Sequence, residues 1–187
     1  YGLMRTILII KDFPEWCAVT LLLIGMISGV GGVLYALGQH EIKKLLAYHS
    51  IENIGIITLG LGTGLWGQIC HNELAAFIGY AGALLHVFNH AVFKGLLFLS
   101  AGSLIHSTRT GEIDRLGGLL KKLPWTGHLF LVGSLSICGL PLFNGFVSEW
   151  LVYRALFEGM FHFELNGIAL SSLAVISLAL IGGLAAA

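Results

Sequence analysis

The chain has 187 residues, of which 56% are hydrophobic and 11% charged, and its formal net charge is zero. Its mean hydropathy is +0.87. A soluble domain carries about a quarter of its residues as charges, so this chain has too little polar surface to cover a globule in water and reads as a membrane protein. The balanced charge argues against nucleic acid as a partner.

A helix needs about 20 mostly apolar residues to cross a hydrocarbon core. Residues 1–10 read as the end of a helix, and "KDFPEW" as a short polar turn. Residues 16–37 form a full uncharged span. After "GQHEIKK" a third segment, 42–65, is polar in its first half ("KKLLAYHSIEN") and apolar in its second ("IGIITLGLGTGLW"), and "GQICHNE" makes the next turn. Residues 74–105 are long for one span, about 48 Å if helical throughout, which predicts tilt or a first turn lying in the interface. The stretch 106–125 is the one extended polar connection. Residues 126–155 follow, interrupted by "CGLPLFNG", and a last span covers 165–187. The expected fold class is all-α, a polytopic transmembrane helix bundle of about five to six spans. One span is broken at Gly139–Pro141, and residues 1–187 form a single domain. The apolar opening without Met and the apolar end predict an internal piece of a longer protein, and no signal peptide is expected.

Orientation follows from Lys and Arg. The connections 38–44 and 106–125 must share one side, and they carry Lys43, Lys44, Arg109, Arg115, Lys121 and Lys122. The other side has Lys11 and Arg154. The positive-inside bias places the first group in the cytoplasm. Gly25, Gly29 and Gly32, then Gly79 and Gly82, predict faces where helices approach closely. Cys17, Cys70 and Cys138 are far apart in apolar surroundings and read as small hydrophobes.

Against this background three groups of ionisable residues stand out, because an ion at the bilayer centre costs at least about 2.5–3.5 kcal/mol. In "LLHVFNHAVFKGLLFL", His86, His90 and Lys94 are spaced i, i+4, i+8 and climb one helix face. Lys94 needs a partner from another helix, or water, or must be neutral part of the time. Imidazole donates and accepts, so the stripe is expected to pass protons. Two other readings stay open: polar groups that only hold helices together, and a metal or haem site on His86 and His90, although no further ligand sits at metal spacing. In "HEIKKLLAYHSIENIG", Lys43 and Lys44 read equally as interfacial anchors that snorkel or as part of a proton-uptake route with His49 and Glu52. In "GLPLFNGFVSEW", Pro141 breaks the helix ladder. A broken span survives only where protein or water satisfies the freed backbone, as in many ion sites. Glu149, two turns later, reads either as a terminal residue near the interface or, beside the break, as a functional one, and the second reading is favoured.

These stretches carry a resemblance. "GQHEIKKLLAYHSIENIGII", "NHAVFKGLLFLSAGSLIH" and "GLPLFNGFVSEW" resemble the proton-pumping membrane subunits related to respiratory complex I and to multisubunit Na+/H+ antiporters. The wording is similar to the large membrane subunits of hydrogenase-4 and formate hydrogenlyase complexes. The resemblance covers essentially the whole chain. It implies an antiporter-like bundle of about fourteen helices with two inverted repeats, each holding a broken helix. This chain would supply the end of the first repeat and most of the second. By position, His90 and Lys94 match the central polar axis, and Glu149 the ionisable residue of the second broken helix, Lys in some relatives. Lys43 matches the basic residue of a "(D/E)IKR" stretch. The first-repeat Glu–Lys pair would lie upstream of Tyr1, so this piece alone is not expected to pump. Where some relatives have His, this chain has Asn53, with His49 and Glu52 nearby.

The implied function is proton translocation through buried Lys, His and Glu, within a hydrogenase-4, formate hydrogenlyase or NADH:quinone-type complex. No cofactor is expected in this chain; iron–sulfur, nickel–iron or flavin centres would belong to partner subunits. The partners implied are the other membrane and peripheral subunits, the lipid of the cytoplasmic (inner) membrane, and H+ or Na+. The alternatives are a subunit of a stand-alone Na+/H+ antiporter and a structural membrane subunit that moves no ion.

Overall fold

The computed structural model describes residues 1–10, 12–162 and 165–186. Lys11, used above in the charge argument, and the end of the last expected span at Ala187 lie outside the described residues. Helices α1 (Gly2–Ile9), α2 (Glu15–Leu37), α3 (Ile42–Ile69) and α4 (Glu73–Thr108) follow in order. A 3-10 turn, Ile113–Arg115, and the short α5 (Leu119–Lys122) lie in the polar connection. Then come α6 (Pro124–Ile137), α7 (Asn144–His162) and α8 (Leu165–Ala185).

Helix ends fall where the sequence supplies a reason. Pro14 sits extended before α2, and Pro124 opens α6, where a missing N–H leaves no bond unmade. The Asn72 side-chain oxygen accepts the Ala75 N–H at 3.0 Å, capping α4. That helix runs unbroken for 36 residues and stops at Arg109 in the left-handed region, φ 61. Among the described residues three helices are long and apolar enough to cross a membrane: α2, α4 and the 167–185 part of α8. The expectation of five to six spans counted α3 and the broken α6–α7 pair as well. α3 has the length, at 28 residues, but its first half is polar; α6 has 14 residues and α7 has 19 with Glu149, Arg154 and Glu158 in it. In these segments Glu52 and Glu149 are carried inside the bundle, while Lys43, Lys44 and Arg154 are exposed.

α3 packs between α2 and α4, α7 lies against α4, and α8 covers α2 and α7. The glycine faces hold these crossings. A Cβ on Gly55 of α3 would lie 2.6 Å from Gly29 Cα of α2, and one on Gly79 of α4 would lie 2.8 Å from Gly64 Cα of α3. Without Cβ atoms the backbones meet directly. Two apolar clusters result. One joins Leu22, Leu59, Leu156, Leu178 and Ile181; the other joins Leu46, Phe93, Leu97 and Ile137. On α3 the interval from His49 to Asn53 falls between Leu46 of one cluster and Ile56 of the other. On α4, His86 and Asn89 fall in the corresponding gap. The polar residues therefore occupy a seam between two dry cores.

The connections 38–44 and 106–125 meet at one end of the bundle. Ile42 N–H donates to Gly111 O at 3.0 Å and Ile113 N–H to His40 O at 2.8 Å. His40 pairs with Asp114 at 2.9 Å. The break expected at Gly139–Pro141 is present and spans 138–143, with Gly139 (φ 60) and Leu142 (φ 82) both left-handed. It lies beside the middle of α4: Asn89 Nδ2 donates to Asn144 O at 2.7 Å. A side-chain amide of α4 thus holds the first residue of α7, just past the break.

A buried polar seam across three helices

Among the described residues four ionisable side chains are withdrawn from the surface: His86 is 0% exposed, Glu52 1%, Lys94 5% and Glu149 9%. Apolar helices hold them there, and each finds a different environment. On α3, His49 and Glu52, one turn apart, share a hydrogen bond between Nδ1 and Oε2. Asn53, next to Glu52, donates Nδ2 to His49 O at 2.7 Å. Its side-chain oxygen faces His86 Nε2 at 3.0 Å. His86 Nδ1 faces Ser148 Oγ of α7 at 2.9 Å. One imidazole thus spans the gap from α3 to α7.

Ser148 is shared further. Asn89 Nδ2 donates to its Oγ at 3.0 Å, and the hydroxyl lies 2.9 Å from Gly145 O. Asn144 Nδ2 lies 3.4 Å from Asn89 Oδ1. The first turn of α7, just past the break, is therefore held to α4 by amides and a hydroxyl.

Lys94 donates to Leu46 O of α3 at 2.6 Å, with the Phe98 ring 6.0 Å away. Among the described residues it makes no ion pair. Its ammonium can therefore exchange a proton without breaking a carboxylate contact. His90 stands edge-on to Phe93, centroids 5.6 Å apart, and its Nε2 is buried without a hydrogen-bond partner. Glu149 points back at the break: a Cβ on Gly139 would come within 3.0 Å of its Cδ. A cavity of about 460 Å³ opens beside it, lined by Cys138, Gly139, Trp150, Tyr153 and Ala179.

His86, His90 and Lys94 do share a helix, but no described hydrogen bond joins one to the next. The i, i+4 spacing stacks them, while α3 and α7 offer His86 and Lys94 nearer partners. Lys43 is exposed near the start of α3, and Lys44 pairs with Glu41 at 3.3 Å. Sequence reasoning gave no role to Asn89 or Asn144. The signal was available: Asn89 lies i+3 from His86, and Asn144 is a polar residue at a helix break. Among the described residues no three His, Cys, Asp or Glu side chains gather as a metal site requires.

Residues 1–177 match the family model described as NADH:quinone oxidoreductase/Mrp antiporter, transmembrane. The chain is 43% identical over 173 residues to hydrogenase-4 component B of Escherichia coli (strain K12), covering 92% of this chain and 26% of that protein. It is 41% identical over 188 residues to formate hydrogenlyase subunit 3 of the same organism, covering 98% of this chain and 30% of the relative. The chain thus spans less than a third of the length of these relatives. Its fold matches a chain in the structure of the Mrp complex from Dietzia sp. DQ12-45-1b, with a TM-score of 0.72 at 23% identity over 91% of this chain and 29% of that one.

Proposed function

The chain belongs to the NADH:quinone oxidoreductase/Mrp antiporter transmembrane family, and from that premise we propose that it forms part of a proton path in a redox-driven membrane complex. The partners would be membrane and peripheral subunits of a hydrogenase-4, formate hydrogenlyase or NADH:quinone type. These would carry the iron–sulfur, nickel–iron or flavin centres, with the assembly in the cytoplasmic membrane. The observation that carries this reading is the seam itself: His49–Glu52, His86 and Lys94 buried between two apolar clusters, with Glu149 beside a helix break. Ionisable groups held inside a membrane bundle mark ion pathways.

In this reading Lys94, bound to a neutral carbonyl, is the group that changes charge. His90 lies one turn before it on α4, and Glu52 lies on α3, the helix whose Leu46 carbonyl Lys94 meets. Charging one group alters the proton affinity of the next, which is how a redox event elsewhere can move a proton here. Glu149 and its cavity supply the proton-exchange position at the break. Lys94→Ala in the assembled complex is expected to leave assembly intact and lower acidification of inverted vesicles per electron pair at least about tenfold, the loss of a group that acts directly in the path. Acidification at the native rate would defeat the reading.

A second reading, a Na+/H+ antiporter subunit, draws on the family description, which includes Mrp antiporters. It predicts proton movement driven by a Na+ gradient with no electron donor present.

A further inference from the structure

We infer that Asn53 and Ser148 are positioning residues that make His86 gain and lose its proton at Nδ1 alone. The inference rests on the proton-path reading for its functional consequence. The hydrogen-bond assignment stands on geometry.

Start from the group with no freedom. The His49 carbonyl can only accept, and Asn53 reaches it at 2.7 Å, so the Asn53 atom there is the amide nitrogen. The other end of the amide, the oxygen, then faces His86 Nε2 at 3.0 Å. That oxygen can only accept, so Nε2 carries a hydrogen in every charge state of His86. Nδ1 is left as the nitrogen that titrates.

Nδ1 faces a group with two settings. Ser148 Oγ lies 2.9 Å from Nδ1 and 2.9 Å from Gly145 O, and it accepts from Asn89 Nδ2 at 3.0 Å. With His86 neutral, the hydroxyl hydrogen turns to the Nδ1 lone pair. When one proton adds to Nδ1, the new N–H donates to Oγ and the hydroxyl hydrogen swings to Gly145 O. Both states leave the donors of His86, Ser148 and Asn89 paired, and only one light atom turns. Amide orientation on α3 and hydroxyl rotation on α7 thus prepare a fully buried imidazole for both charge states. Desolvated polar groups normally favour one state.

The charged groups around this site are His49 and Glu52 from α3, His90 and Lys94 from α4, and Glu149 from α7. α6 brings no ionisable side chain to it; His128 lies exposed at the start of that helix, bonded to Pro124 O.

The test uses the assembled complex in lipid with nitrogen-15-labelled histidine, the His86 signal being assigned by its loss in His86→Gln. Neutral His86 is expected as a single form with hydrogen on Nε2 and a lone pair on Nδ1. Asn53→Leu is expected to admit the Nδ1–H form as well. Native His86 with its hydrogen on Nδ1 overturns the inference. Ser148→Ala is expected to slow proton translocation at least about tenfold, as for loss of a hydrogen bond to a charged group, with Ser148→Thr restoring most of it through its hydroxyl. Native translocation by Ser148→Ala overturns the role of the rotating hydroxyl. Native translocation by His86→Gln would remove His86 from the path while leaving the nitrogen assignment standing, which separates the two failures.

Discussion

At the scale of single residues, Glu149 raises the sharpest question. It is nearly buried, faces Gly139, and borders the cavity between α7 and α8. A carboxyl group placed there can bind and release a proton; an amide of the same shape cannot. Glu149→Gln is therefore expected to reduce vesicle acidification severalfold in a complex that still assembles, while Glu149→Lys, which keeps an ionisable group, retains part of it. Normal pumping by Glu149→Gln would reduce the residue to a packing element. Much of this site was legible in the sequence, because an ion inside an apolar run has few reasons to be there. His86, Glu52, Lys94 and Glu149 are all buried as their surroundings implied. Their partners were not legible. That His86 joins Asn53 to Ser148 depends on residues 33 and 62 positions away, and helical spacing only reports neighbours on one helix.

Among the elements, the α2–α3 crossing and the helix break decide whether the seam exists. Gly55 and Gly29 meet backbone to backbone, and Gly32 presses on the Glu52 segment, with a Cβ there lying 2.9 Å from Glu52 Cα. Gly55→Val would push α3 away from α2 at a cost of about 1–3 kcal/mol for overpacking, occasionally more. The expected result is a lower melting temperature of the complex in detergent and a smaller assembled fraction; an unchanged melt would mean that the two helices are not held as the structure shows. Gly139 differs because its backbone is left-handed, φ 60. Gly139→Ala adds about 1–2 kcal/mol of local strain and drives a methyl group into the Glu149 carboxylate. It is expected to impair acidification more than assembly, measured as pumping per assembled complex. Apolar runs and the "CGLPLFNG" interruption had placed the main helices and the break. The length of α4 and the reach of α3 to Ile69 exceeded the expected 105 and 65. Hydropathy marks where a helix is greasy, whereas hydrogen bonding and caps carry it on into polar sequence.

For the whole molecule, orientation in the membrane follows from two separate arguments that have to agree. Geometrically, 38–44 and 106–125 lie at one end, clasped by the Ile42–Gly111 and Ile113–His40 hydrogen bonds and separated by a cleft of about 630 Å³ lined by Gly38, Gln39, Arg109 and Glu112. Electrostatically, that end carries Lys43, Lys44, Arg109, Arg115, Lys121 and Lys122. Short loops rich in Lys and Arg stay on the cytoplasmic side, so both connections are expected to face the cytoplasm together. Arg154 lies on α7 beyond the break, away from that end in chain order. Single cysteines at Gln39 and Glu112, in a background where Cys17, Cys70 and Cys138 are replaced by Ala or Ser, give the measurement. A membrane-impermeant maleimide is expected to label both in inverted vesicles and neither in intact cells. Labelling of one from each side would break the clasp that the structure shows. Labelling of both from outside would leave the clasp and reverse the orientation.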